Sequence, residues 1–208
     1  MKKLPSFLTT GFTVVVGSLF ISSPLLAQGM GPNLENMFLN EDTDNFDPGV
    51  PVGMQFPMIR ARYEGEEITS IDGFHGDKGL IFFAVRSADW RPFCRAQLGQ
   101  LQEHVDAYEQ AGVGIVVATY DAPELQQAFV NAGNITYPFI SDIDASTMNA
   151  LGILNEQYEP GEPAYGIPHP GVFVVNPNNE IVGKIFIESF RERVDGEGTL
   201  QYALGVLE

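Results

Sequence analysis

Continuous apolar runs along the chain predict strands that are covered on both faces. The clearest runs read LIFFAV at 80–85 and VGIVVAT at 113–119. Strands of a parallel or mixed sheet pack against other layers on both sides, so their apolar residues do not alternate with polar ones. Strands are therefore expected at 80–85, 113–119, 137–141, 172–175 and 181–187, the last two being joined by a tight turn at 176–179.

Apolar residues spaced three and four positions apart predict helices between these strands. Leu98, Leu101, Val105 and Tyr108 form one such stripe, which indicates a helix that buries one face. Pro92 suits the first turn of this helix, because its fixed φ is already helical and its missing N–H needs no partner there. The helices are expected at 92–110, 123–132 (capped by Asp121), 145–151 and 198–207.

Strands and helices in this order indicate an α/β sandwich with a mixed sheet. An alternating segment at 58–71, broken by Glu64-Gly65, predicts a hairpin in front of it. The folded domain is expected at 54–208. Residues 28–53 are rich in Asn, Asp, Gly and Pro, which favours a flexible acidic lead-in.

Residues 1–27 have the features of a secretory signal peptide. Lys2 and Lys3 precede an apolar stretch at 7–26, and the small residue Ala27 follows it. Cleavage near Ala27 predicts an exported protein, periplasmic or extracellular, with no stable membrane anchor afterwards. An uncleaved membrane anchor is the alternative.

The chain carries 27 acidic and 11 basic residues, which gives a formal net charge of −16. Such acidity argues against nucleic acid and anionic membrane surfaces as partners, because both would repel the protein. His and carboxylate residues show no metal-ligand spacing, and no glycine-rich phosphate loop is present. The sequence therefore predicts neither a cofactor nor a bound metal.

The chemistry of the sequence centres on its only cysteine, Cys94. Cys94 falls in the opening turn of a predicted helix, where free backbone N–H groups and the helix dipole favour negative charge. Arg91 and Arg95 flank it and could supply positive charge, and these conditions favour the reactive thiolate. A single cysteine excludes an internal disulfide. The alternative is a buried cysteine that acts as a small hydrophobic residue.

Three motifs make the chain resemble a known superfamily. They are RSADWRPFCRAQL at 86–98, YPFISD at 137–142 and YGIPHPGVFVVNPNNEIV at 165–182. With them the chain resembles the thioredoxin-fold superfamily, and more narrowly its peroxiredoxin-like (redoxin, alkyl hydroperoxide reductase/thiol-specific antioxidant) branch. The resemblance implies a thioredoxin-like three-layer sandwich with a mixed central sheet, and an oxidoreductase with antioxidant activity in cell redox homeostasis.

By this resemblance, Cys94 corresponds to the cysteine that attacks the peroxide, and the sequence departs from the family pattern around it. Arg91 stands where thioredoxin-type proteins have a first cysteine and peroxiredoxins a threonine. Ser87 replaces the proline of the peroxiredoxin signature. The arginine that polarises the peroxide would fall at Pro170. Arg91 is therefore the candidate catalytic partner of Cys94, or else a solvated residue at a degraded site.

The resemblance also implies supporting residues around the cysteine. It places Trp90 at the rim of the site, although a packing role is nearly as well supported. It implies a cis peptide bond before Pro170, which would bring His169 close to Cys94 as a base or hydrogen-bond donor.

Three functions follow from these observations. The first is a one-cysteine peroxidase in which Cys94 reduces a hydroperoxide and an external thiol reductant restores it. The second is thiol–disulfide exchange with a disulfide substrate or a redox partner protein. The third is a redox-inactive thioredoxin-fold binding module, which the loss of the first cysteine favours.

Overall fold

A mixed sheet of seven strands forms the centre of the computed structural model, which describes residue 34 and residues 36–208. The predicted signal peptide lies outside the described residues. The strand order in the sheet is β3-β2-β6-β5-β4-β7-β8. The strands are β1 Phe38–Leu39, β2 Ala61–Tyr63, β3 Glu66–Ile68, β4 Gly79–Ala84, β5 Val113–Thr119, β6 Phe139–Asp142, β7 Gly171–Val175, β8 Ile181–Phe186 and β9 Arg193–Val194. The helices are α1 Pro92–Gln102, α2 Val105–Ala111, α3 Pro123–Gly133, α4 Ser146–Ala150 and α5 Gly196–Val206.

The central strand β4 separates two hydrophobic cores. It runs parallel to β5 and antiparallel to β7. Because successive side chains of a strand point to opposite faces, Ile81 and Phe83 join the core beneath α1, α2 and α5, while Leu80 and Phe82 join the core beneath α4. Both faces are covered, as the unbroken apolar run predicts. The expected α/β sandwich with a mixed central sheet is confirmed.

The predicted helix at 92–110 is two helices. The chain tightens between α1 and α2, where the N–H groups of Glu103 and His104 donate to carbonyls three residues earlier, at Gln100 and Leu101. Gly196, at the start of α5, packs against this corner, and a Cβ there would lie 2.7 Å from the His104 ring. None of the helices within residues 36–208 has the length and apolar character needed to span a bilayer.

The segment expected to be a flexible lead-in is bound to the domain, so that expectation is wrong for residues 37–50, here called the N-terminal strap. Its strand β1 pairs in parallel with β9, outside the central sheet. The backbone N–H of Arg193 donates to the carbonyl of Met37 at 2.8 Å, and that of Asp195 donates to Leu39 at 2.8 Å. These bonds satisfy the backbone N–H groups of Arg193 and Asp195 and the carbonyl groups of Met37 and Leu39.

The second half of the N-terminal strap is fastened across the opposite core. Val50 donates its N–H to the carbonyl of Leu151 at 2.9 Å. Gly49 has a φ of +86°, and a Cβ at that position would lie 2.6 Å from the same carbonyl oxygen. Only glycine fits this approach. The buried Lys184 side chain donates to the carbonyl of Pro48 at 3.1 Å and pairs with Asp47 at 2.5 Å.

Met37 offers a test of whether the N-terminal strap contributes to stability. It is 2% exposed, whereas Met58 is 77% exposed. Met37→Ala removes a buried side chain, so we expect it to lower the free energy of unfolding by roughly 2–5 kcal/mol. Met58→Ala is the matched control and should have almost no effect. Urea unfolding followed by far-UV circular dichroism measures both, and equal midpoints for the two variants would show that the strap is not packed in solution.

Candidate active site

Cys94 lies in the first turn of α1 and is buried. It is the third residue of the helix, after the N-cap Arg91 and the prolyl start at Pro92. Only 1% of its surface is exposed, and it packs in the core beneath α1, α2 and α5. The N-terminal end of the helix dipole acts on the sulfur, as the sequence predicts. Small molecules therefore reach the thiol only through a narrow or transient opening.

The guanidinium of Arg193 contacts the Cys94 sulfur. Its Nη2 lies 3.9 Å from Sγ, and only 4% of Arg193 is exposed. Burial lowers the pKa of this guanidinium, while the charge of Cys94 acts in the opposite direction. An arginine keeps its proton in either case, so a fixed positive charge lies beside the thiol. Such a charge can stabilise negative charge that develops on an atom bound at the sulfur.

Three further N–H donors of Arg193 bond to protein atoms. Its Nε donates to Oε1 of Gln97 at 3.0 Å, and its Nη1 donates to the carbonyls of Phe190 at 3.1 Å and Glu192 at 2.5 Å. Gln97 is on α1, one turn beyond Cys94. The Arg193 guanidinium is thus held in place by α1 on one side and by the loop before β9 on the other. The pairing of β9 with the N-terminal strap fixes it further.

Sequence reasoning did not single out Arg193. It lies about a hundred residues after Cys94 and belongs to none of the three motifs. Its local sequence, Glu192-Arg193-Val194-Asp195, resembles an exposed turn before a helix. Only the pairing of β9 with β1 turns this arginine inward.

A buried carboxylate, Asp121, holds the loop between β4 and α1. Its Oδ1 accepts from the hydroxyl of Ser87 at 2.8 Å, and its Oδ2 accepts from the N–H of Ala88 at 2.7 Å. Burial raises the pKa of Asp121, and these hydrogen bonds act against that rise. The prediction that Asp121 caps α3 is wrong: Ala122 is the N-cap, without a side-chain bond. The carboxylate instead fixes the loop that leads to Cys94.

Trp90 and Arg91 lie together at the edge of the site. The Arg91 guanidinium carbon lies 4.2 Å from the centroid of the Trp90 ring. Trp90 is exposed, and its Nε1 donates to the hydroxyl of Tyr120 at 2.9 Å. Arg91 therefore stacks on the tryptophan rather than donating to the sulfur. Its Nε is nevertheless buried, with no hydrogen-bond partner among the described residues.

Arg95 turns away from the thiol. Its Nη1 donates to the carbonyls of Ala88 and Asp89, each at 3.0 Å. Its guanidinium carbon lies 5.1 Å from the centroid of the Phe129 ring. The Arg95 side chain thus links α1 to the preceding loop through these hydrogen bonds.

His169 and Pro170 lie directly before β7, and the peptide bond between them is trans. The expectation of a cis bond is therefore wrong. Trans is the lower-energy isomer, and the N–H of His169 donates to the carbonyl of Ile153 at 2.7 Å. The His169 ring packs edge-on against Phe46 at 5.3 Å, and burial lowers its pKa. Among the described residues, His169 contacts Ile153 and Phe46 and forms no hydrogen bond with Cys94.

The sequence matches a family model, the AhpC/TSA family, over residues 52–184. It is also similar to curated bacterial proteins. A putative peroxiredoxin of Haemophilus influenzae is 25% identical over 131 residues, which cover 63% of this chain and 83% of the relative. A putative peroxiredoxin of Mycobacterium tuberculosis is 25% identical over 119 residues, which cover 57% of this chain and 73% of the relative.

Solved structures share the fold. A peroxiredoxin-like protein from Aquifex aeolicus superposes with a TM-score of 0.62 at 19% identity, covering 77% of this chain and 90% of that one. Reduced Prx3 from Vibrio vulnificus, in complex with hydrogen peroxide, superposes with a TM-score of 0.63 at 19% identity, covering 74% and 99%. The predicted fold and family are confirmed. Arg193 lies beyond the residues that the family model matches.

Asp121→Asn tests the loop that carries the site. An asparagine keeps one acceptor for Ser87 but turns an NH₂ group toward the N–H of Ala88. We expect the free energy of unfolding to fall by about 1–3 kcal/mol, because a buried donor loses its partner. Asp89→Asn is the matched control, since Asp89 lies exposed in the same loop. Urea unfolding measures both, and an unchanged midpoint for Asp121→Asn would contradict the role given to the carboxylate.

Proposed function

Because the chain belongs to the AhpC/TSA family of peroxiredoxin-like proteins with a thioredoxin fold, we propose that it is a one-cysteine thiol peroxidase with Cys94 as the nucleophile. The single observation that carries this proposal is the Arg193 guanidinium at 3.9 Å from the Cys94 sulfur. A site that had lost its chemistry would have no reason to keep a buried charge against its only thiol, since burying that charge is costly.

The proposed step is attack of the Cys94 thiolate on the terminal oxygen of a hydroperoxide. The sulfur–oxygen bond forms as the oxygen–oxygen bond breaks, so sulfur is oxidised to a sulfenic acid and the peroxide is reduced. The transferred oxygen keeps its hydrogen, and the departing alkoxide or hydroxide takes a proton from water. Arg193 lies against the attacking sulfur and stabilises the oxygen anion that develops during the step.

Restoring the thiol requires an external reductant, because the chain has no second cysteine. Two external thiols supply the two electrons: the first forms a mixed disulfide with Cys94 and releases water, and the second displaces the Cys94 thiol. Since Cys94 is 1% exposed, this half of the cycle needs the groups that cover the thiol to move. The same burial favours a small hydroperoxide over a protein disulfide as the first reactant.

Substitution of Arg193 tests this proposal. Arg193→Gln keeps a hydrogen-bond donor but removes the charge, and we expect sulfenic acid formation with hydrogen peroxide at pH 7 to slow by roughly 10²–10³-fold. Arg62→Gln is the matched control, because Arg62 is exposed on β2. Dimedone trapping followed by mass spectrometry measures the rate, and Cys94→Ser gives the background.

Near-ultraviolet circular dichroism of each variant verifies that the fold is intact. A folded Arg193→Gln variant that forms the sulfenic acid within twofold of the wild-type rate would refute the role of Arg193. No peroxide-dependent sulfenic acid in the wild type would refute the peroxidase itself.

We also propose that the protein is exported and acts in the periplasm or outside the cell. The charged start, the apolar stretch and Ala27 support this proposal. Expression of the full-length chain in a Gram-negative host should give a periplasmic product whose intact mass corresponds to a chain that begins at Gln28. Ala27→Glu should block this cleavage. A full-length mass, or retention in the membrane fraction, would favour the uncleaved anchor instead.

A further inference from the structure

A second buried arginine, Arg86, has no anionic partner within the described part of the chain. It lies two residues after the end of β4 and is 5% exposed. Its Nε is buried, with no hydrogen-bond partner among the described residues. An arginine is always charged and carries five N–H donors, and leaving one of these donors buried without a hydrogen-bond partner is unfavourable. Folded proteins rarely retain such a group unless something other than the chain satisfies it.

The surroundings of Arg86 carry excess positive charge. Burial lowers the pKa of Arg86, and the charges of Arg91 and Arg193 lower it further, while Tyr158 and Cys94 act in the opposite direction. No carboxylate is among these groups. The side-chain ion pairs in the described part of the chain join Arg60 and Lys184 to acidic residues instead. Even with Cys94 ionised, three positive charges face one negative charge.

The ring of Phe190 links these groups. The Arg86 guanidinium carbon lies 5.5 Å from the centroid of this ring, and the Phe190 carbonyl accepts from Nη1 of Arg193. The ring also packs edge-on against Phe93, the residue before Cys94, at 6.4 Å. Although 42% of Phe190 is exposed, its ring contact places Arg86 next to the loop that binds Arg193 and next to the residue before Cys94.

We propose that Arg86, with Arg91 and Arg193, forms an anion-binding site beside Cys94, and that the hydroperoxide reduced there carries a negative group of its own. This inference rests on the proposed peroxidase function and narrows its substrate class. Arg193 is committed to the sulfur and to protein carbonyls. Arg86 and Arg91, each with an unpartnered Nε, hold the donors that the anionic group uses.

The bond changes are those of the peroxidase step, with the charge placed on the leaving group. For a peroxo anion such as peroxymonosulfate, the Cys94 sulfur bonds to the terminal oxygen and the oxygen–oxygen bond breaks. Sulfur becomes a sulfenic acid and sulfate departs. The leaving group gains negative charge during this step, so cations that hold it stabilise the transition state more than the bound substrate.

Two alkylating reagents of similar size test the anion site without any peroxide. Iodoacetate is negatively charged and iodoacetamide is neutral, so the ratio of their rates at Cys94 reports the local potential. We expect the ratio in the folded protein to exceed that of the same chain unfolded in urea by about tenfold or more. Arg86→Met should remove most of this difference. Arg62→Met is the matched control, because Arg62 is exposed on β2, and should leave the ratio unchanged.

A stability measurement separates this role from a structural one. If Arg86 is retained for an anion, Arg86→Met relieves an unpaired buried charge, and the urea midpoint should rise or stay the same. A marked fall in the midpoint would show instead that the fold depends on Arg86. Equal alkylation ratios in folded and unfolded protein would overturn the anion site, and so would a thiol that neither reagent reaches in the folded protein.

The substrate class is tested with peroxymonosulfate and hydrogen peroxide. Arg86→Met should slow sulfenic acid formation with peroxymonosulfate at least fivefold more than with hydrogen peroxide. Equal losses with the two peroxides would overturn the substrate class and leave Arg86 as an activator of the thiolate. If no peroxide oxidises Cys94, the peroxidase proposal fails, while the alkylation ratio still decides whether the anion site exists.

Discussion

The contact between the buried Arg193 guanidinium and the Cys94 sulfur is the constraint on which the rest of the site depends. A buried charge of this kind is tolerated only when its donors are satisfied and its position is fixed. Gln97 on α1 and two carbonyls of the loop before β9 satisfy those donors. The contact therefore requires that α1 and the loop before β9 keep a fixed relative position, although they are about a hundred residues apart in the sequence.

Two sets of contacts outside the site hold the helix and the loop in these positions. The N-terminal strap pairs with β9. The backbone N–H of Arg193 donates to Met37, while its side chain donates to Gln97 on α1. On the other side, the buried carboxylate of Asp121 binds Ser87 and Ala88 and sets the loop that enters α1. Stability and chemistry are thus coupled. The strap and Asp121 contribute to the stability of the fold, and the same contacts fix the position of the Arg193 guanidinium beside the Cys94 thiol.

A positive charge lies beside the Cys94 thiol although residues that the family pattern places around the cysteine are absent from this sequence. Ser87, in place of the signature proline, fixes its loop through a hydrogen bond to Asp121. Pro170 stands where the resemblance places an arginine, and Arg193 reaches the same sulfur from a different strand. A positive charge therefore lies beside the thiol in this protein, although it comes from a residue outside the three motifs.

The sequence alone indicated most helices and strands, because apolar periodicity and turn residues are local properties. It indicated the family and its fold through the resemblance carried by the motifs at 86–98, 137–142 and 165–182. It also determined the place of Cys94, since the strand, turn and prolyl helix start lie within one motif. Only the tertiary structure decided that Arg193 contacts the sulfur, that Arg91 stacks on Trp90, that Arg95 points away and that the strap is bound. Those facts depend on pairings between distant segments, such as β1 with β9, and nothing in the residues of either segment specifies its partner.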